Sequence, residues 1–209
     1  MPAITGERRY GGKTATERRE ERREQLLDAG LELFGTQGFA AVTIEALCAQ
    51  AGLNPRYFYE QFPTREELLG AVYDRHVQAV LTMVGAAIAD SAPDPARRLS
   101  AGLTAFVTAT LADERAARIN YFEMVGVSAE LEAQRRGVLR AYAELIATQA
   151  AQLEYRTPPT PLGRGDRRMT AVALTGATDG LITDWMSSSD RPPRQAIVDT
   201  LLAIFAPEG

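Results

Sequence analysis

Very little in this chain is suited to redox or metal chemistry: it has one cysteine and one histidine in 209 residues. Cys48 alone cannot close an internal disulfide, so no oxidising compartment is implied and the cytoplasm is the expected location. A metal site needs several His, Cys or carboxylate ligands at close spacing, and His76 has no such company. We read it as a helix-surface residue, and Cys48 as a small core hydrophobe. No metal and no cofactor is expected.

Long apolar runs are also missing. Charges interrupt every hydrophobic segment before the ~20 residues a membrane span needs, and residues 1–13 have no signal-peptide core, so no membrane partner is expected. Nor is there an excess of positive charge, since 23 Lys and Arg face 27 Asp and Glu, for a net charge of −4. Taken alone, that sum argues against nucleic acid. Its distribution argues the other way, because Arg8, Arg9, Lys13, Arg18, Arg19, Arg22 and Arg23 crowd the start of the chain, interleaved with glutamates. They fit equally a solvated helix face or a basic arm reaching a DNA groove.

What is present is helical periodicity from Thr14 onward. Thr14 and Glu17 have capping-box spacing, and Leu26, Leu27, Gly30, Leu31 and Phe34 lie on one face of a helix that ends near Gly35. Thr43 caps a short helix to about Ala51, Gly52 and Leu53 turn the chain, and Asn54 with Pro55 starts a third helix through Phe62. Thr64 caps a long fourth helix to about Ala89. Five more helices are expected at about 96–111, 114–126, 128–155, 167–187 and 193–205, with a proline-rich loop from Pro158 to Gly165. The fold class is all-α with about nine helices. We divide it into a flexible arm (1–13), an N-terminal helical unit (14–66) and a larger C-terminal helical unit (67–209).

The functional signal lies in residues 43–62. Two short helices joined by a glycine turn, with small Ala49 and Ala51 at the crossing and apolar Leu53 under the turn, read as a helix-turn-helix. Such a motif lays its second helix in the major groove of double-stranded DNA, here with Asn54, Pro55, Arg56 and Tyr57 leading.

This stretch resembles the tetracycline-repressor (TetR) family, in Gly52, in Tyr59-Glu-Gln-Phe62 and in Thr64-Arg-Glu-Glu-Leu68. The resemblance covers about residues 20–72. It implies a homodimer that binds a palindromic operator and is released by a small, largely apolar effector, and a protein that is not an enzyme. The alternatives are the same fold regulated without a small ligand, or an enzyme on the C-terminal helices. The second is weak, because no nucleophile–base pair or phosphate-binding glycine motif is visible.

Arg56 is suited to a guanine edge or a phosphate, Tyr57 and Tyr59 to phosphates with their rings filling the base of the helix, and Thr43 with its helix N-terminus to a phosphate. Arg65 stands where the family often has a phosphate-binding lysine. Two positions depart from the family pattern: Glu45, where a basic residue is common, and Tyr57, where threonine is. Phe106, Tyr121, Phe122, Met124, Tyr142 and Trp185 are candidates to line an effector pocket. By resemblance, Ala173, Gly176, Ala177 and Gly180 together with Leu201 and Phe205 would form a four-helix dimer interface.

Overall fold

A computed structural model describes residues 14–154 and 167–205, apart from the side chains at 95, 149–154, 167 and 205. The 1–13 arm and the Pro158–Gly165 loop lie outside the described residues. Nine α-helices follow one another with no strand among the described residues: α1 (Ala15–Gln37), α2 (Ile44–Ala51), α3 (Pro55–Tyr59), α4 (Arg65–Asp90), α5 (Pro95–Thr110), α6 (Glu114–Arg118), α7 (Ala129–Glu154), α8 (Arg167–Ser187) and α9 (Arg194–Phe205). None of them is long and apolar enough to cross a membrane.

The helix starts are set by short polar side chains that take up otherwise unpaired N–H groups. The Thr14 hydroxyl accepts from Glu17 N at 3.1 Å while the Glu17 carboxylate accepts from Thr14 N at 2.6 Å, a complete capping box. Thr43, Asn54, Thr64, Asp94 and Asp113 cap α2, α3, α4, α5 and α6 in the same manner. Gly52, at φ +67°, turns α2 into α3 in the left-handed region open to glycine.

Two elements differ from the sequence expectation. Helix α3 stops at Tyr59 rather than Phe62, because Gln61 N bonds Phe58 O in a tighter turn and Pro63 keeps Phe62 from helical geometry. The expected 114–126 helix becomes α6 followed by a wider π-type turn, Ile119–Glu123, in which Met124 N reaches back five residues to Ile119 O at 3.1 Å. That extra residue lets the turn serve two cores. Ile119 joins one and Tyr121 the other.

The first core gathers Leu26 and Phe34 of α1, Leu47 and Cys48 of α2, Phe58 of α3 and Leu68 of α4. It continues along α4 through Val72 and Tyr73 to Leu131 of α7. The second core joins α5, α8 and α9 through Val107, Leu174, Ile182, Trp185 and Leu201. Close approach of α1 to α4 depends on Gly30, where a methyl group would stand 3.0 Å from the Val72 side chain.

Candidate nucleic-acid interface and effector cavity

Helix α3 has one buried and one open side. Phe58 is fully buried and Phe62 nearly so, with ring centroids 6.2 Å apart, and these two fill the base of the recognition helix. The tyrosines do not. Adjacent residues on a helix point about 100° apart, so burying Phe58 turns Tyr57 and Tyr59 outward, to 37% and 59% exposure. Asn54, Pro55 and Arg56 are exposed beside them, and the Arg56 side chain is 83% exposed.

The open face is held from α1. The Arg22 guanidinium lies 4.2 Å from the centre of the Tyr57 ring and 3.4 Å from the Glu60 carboxylate, whose other oxygen pairs with Arg56 Nε at 3.2 Å. Arg23 stacks over Phe62 at 4.7 Å. These two arginines therefore brace α3, a role that their sequence spacing to neighbouring glutamates does not reveal. The signal available in the sequence was an arginine pair on α1 with one aromatic partner on α3, Tyr57, and another just beyond it, Phe62.

Thr43 and Arg65 are engaged within the protein. Thr43 caps Ala46 N at 3.2 Å, and hydrogen bonds from its own backbone N–H and from the Thr43 hydroxyl hold the Glu45 carboxyl below its ordinary range. An anion thus already sits at the α2 N-terminus, where a phosphate was expected. Arg65 turns inward: it donates to Val42 O, lies 3.4 Å from Phe39 O and stacks 4.8 Å from the Phe39 ring. It fixes the short 3-10 turn Phe39–Ala41 that leads into α2.

A second feature lies between α4, α5, α7 and α8. It is a mostly apolar cavity of about 90 Å3. Phe106, Tyr121 and Tyr142 line it as expected, joined by Tyr73, Asn120, Arg135 and Asp179, which the sequence reading missed. The other three candidates are elsewhere. Phe122 is 38% exposed, Met124 is buried in the first core, and Trp185 packs in the second with its indole N–H donating to Pro192 O at 2.7 Å.

The interface candidates also divide. Ala173, Gly176 and Gly180 are exposed along one side of α8 with Met169 and Val172, and Ala177 is half-buried against the second core. Leu201 is fully buried inside that core, so it packs α9 within the chain instead of facing a partner. The Phe205 side chain lies outside the described residues. His76 is half-buried rather than exposed: its Nε2 is buried with no hydrogen-bond partner among the described residues, and burial lowers its pKa. Cys48 is buried as expected, which pushes its thiol pKa up.

A glycine-turned helix pair with its second helix open on one side defines a helix-turn-helix DNA-binding regulator. Residues 26–72 match the family described as bacterial regulatory proteins, tetR family. Over 178 residues the chain is 28% identical to the HTH-type transcriptional activator FasR of Mycolicibacterium smegmatis, spanning 83% of this chain and 76% of that protein. FadR from Bacillus subtilis in complex with stearoyl-CoA shares the fold with a TM-score of 0.75 at 17% identity, over 89% of this chain and 99% of that one. AibR in complex with isovaleryl coenzyme A and operator DNA does so with a TM-score of 0.69 at 17% identity, over 90% and 100%. The chain is thus similar to tetR-family regulators in its helix-turn-helix segment, and shares its overall fold with the two solved regulators.

Proposed function

We propose that the chain acts in the cytoplasm as a homodimeric repressor that grips a palindromic operator and lets go when a small, largely apolar effector enters the cavity. The observation that carries the DNA-binding face is the open side of α3, where Asn54, Pro55, Arg56, Tyr57 and Tyr59 lie exposed over a buried Phe58. Arg56 reads a guanine edge or a phosphate, the two tyrosines donate to phosphates, and Thr43 and Arg65 position α2 behind them. The division into a DNA-binding unit (14–66) and an effector and dimerisation unit (67–209) belongs to the same reading, with α4 running from one into the other.

The dimer face is the exposed small-residue side of α8, Ala173, Gly176 and Gly180, bordered by Val172. Small residues allow a second α8 to approach closely, and two recognition helices about 34 to 36 Å apart would meet successive major grooves. At about 90 Å3 the cavity is smaller than the roughly 300–1,000 Å3 of ordinary ligand sites. A ligand must therefore push its walls apart. One wall is α4, through Tyr73, Val84 and Ile88, and α4 also carries α1 through the tight Val72–Gly30 contact. Displacing it would change the spacing of the recognition helices, for which a coupling of about 1–3 kcal/mol is typical.

The effector reading is supported by the mostly apolar lining and by two relatives in the fold that are described with acyl-CoA ligands. FasR is described as an activator, which favours a second reading in which the same binding raises transcription. Where the footprint falls relative to the promoter separates the two readings. The direct test of the interface selects bound fragments from genomic DNA and titrates them with Arg56→Ala and Tyr59→Phe. Each variant should stay dimeric and bind more weakly, Arg56→Ala by about 5- to 150-fold if a base contact is lost. Unchanged affinity in both would remove α3 from the interface.

A further inference from the structure

Five polar side chains of the cavity, Tyr73, Tyr121, Tyr142, Arg135 and Asp179, lie close enough to feel one another's charge. Tyr73 comes from the first third of α4, Asn120 and Tyr121 from the π-type turn, Arg135 from the start of α7 and Asp179 from the middle of α8. Much of the remaining lining is apolar, with Val84, Ile88, Leu99, Leu103 and Ile146, and Arg98 of α5 is already engaged by another group. Tyr142 also meets the apolar lining, edge-on to the Phe106 ring with centroids 5.2 Å apart. This arrangement suits a ligand with an apolar body and one polar head.

The chemistry of the head follows from which groups are already satisfied. The hydroxyls of Thr175 and Thr178 donate to the carbonyls of Ala171 and Leu174 at 2.9 and 2.8 Å, so their protons are committed. Tyr73, Tyr121 and Tyr142 have no hydrogen-bond partner among the described residues, yet their oxygens are not sealed off. They stay protonated: burial raises the pKa of Tyr73 and Tyr121 well above the ordinary phenol range and pushes Tyr142 up to about 12. The site thus offers three neutral hydroxyls able to donate to an acceptor on a ligand.

Charge narrows the choice further. Arg135 Nη2 donates to both oxygens of Asp179, at 3.0 and 3.1 Å, so its charge is already matched. A ligand carboxylate would place a second anion on one guanidinium, in surroundings too apolar to screen it. A carbonyl oxygen accepts the same phenol hydrogen bonds and adds no charge.

We infer that the effector carries a neutral carbonyl head, as in an ester, thioester, amide or ketone, received by the hydroxyls of Tyr73, Tyr121 and Tyr142, and that Asp179 excludes free carboxylates. This rests on the proposed effector role of the cavity. Asp179 acts as the specificity residue and the tyrosines as the head-binding residues.

The test is calorimetric titration of the full chain at neutral pH with methyl hexanoate, hexanoate and hexane. The ester should bind tightest, ahead of hexane by about two- to tenfold per hydrogen bond gained and ahead of hexanoate by about tenfold or more. Tyr121→Phe should remove part of the ester's lead over hexane, and Tyr142→Phe provides the same reading if the first variant fails to fold. Asp179→Asn should narrow the gap between hexanoate and the ester. Ester and hexane binding equally, hexanoate binding best, or an acid-to-ester ratio unmoved by Asp179→Asn would each overturn the inference while leaving the cavity as a ligand site. Absence of binding by all three, or binding unaffected by filling the cavity with Leu145→Phe, would instead overturn the effector reading itself.

Discussion

The Glu123 carboxylate accepts a hydrogen bond from the backbone N–H of Phe39 at 2.8 Å, joining the π-type turn to the segment that leads into α2. Its second oxygen pairs with Arg118 at 2.9 Å. Two residues earlier, Tyr121 lines the cavity. One short turn therefore touches both the proposed effector site and the DNA-binding helices. Glu123→Ala leaves a part-buried N–H unpaired and should cost about 1–3 kcal/mol in urea denaturation. Glu123→Gln keeps an acceptor and should recover most of that loss. Equal losses in the two variants would assign the stabilisation to the Arg118 ion pair instead.

Arg65 offers a way to separate positioning from phosphate contact. Its guanidinium is spent on Val42 O and the Phe39 ring, so Arg65→Ala should lower operator affinity through a displaced α2. The salt dependence of binding should then keep its slope, whereas loss of a phosphate contact reduces that slope by about one. Arg65→Lys should not restore affinity, because an ammonium neither forks nor stacks as the guanidinium does. A slope that falls by one in Arg65→Ala would place this side chain on the DNA backbone.

The helices and their caps were legible in the sequence because caps and apolar spacing are local properties. Thr14 with Glu17, Asn54 with Pro55, and Thr64 all act where their spacing placed them. The cavity was half legible: large side chains on middle helices suggested Phe106, Tyr121 and Tyr142, but nothing local distinguishes them from Trp185, whose indole N–H is used up by Pro192 O. Arg135 and Asp179 are 44 positions apart, and their pairing emerges only when α7 packs on α8. Leu201 failed as an interface candidate for a similar reason, since an apolar stripe does not say whether its partner is the same chain or another copy.

Gly35 sits where α1 meets the start of α6, and a methyl group there would stand 2.4 Å from Arg115 Cβ and 2.8 Å from Arg115 Cα. The second contact is with backbone, which cannot swing aside. Alanine would ordinarily gain about 0.8–1.0 kcal/mol over glycine inside a helix. Here overpacking should reverse the sign and destabilise the chain by about 1–3 kcal/mol. The same displacement would pull Arg115 from Glu32, which it now meets at 2.6 Å. A thermal melt of Gly35→Ala equal to or above that of the parent would show that α1 and α6 are free to separate.

His76 gives stability a pH dependence of definite sign. Burial lowers its pKa in the folded chain, outweighing the opposing pull of Asp113. Above about pH 6.5 the imidazole is neutral in both folded and unfolded states, and its contribution is fully present. As the pH falls below that value the unfolded chain takes up a proton that the folded chain refuses, so stability declines until the pH passes through the folded pKa. The carboxyl of Asp113, held low chiefly by its hydrogen bond from Arg115, titrates below this window and does not mask the effect. Urea denaturation at about pH 7.5 and about pH 5.5 should show the parent losing stability while His76→Leu loses less. At the higher pH the leucine variant should be at least as stable as the parent, because it removes a buried nitrogen that has no partner. Equal losses in the two proteins across that interval would mean that His76 is protonated in the fold and reaches solvent.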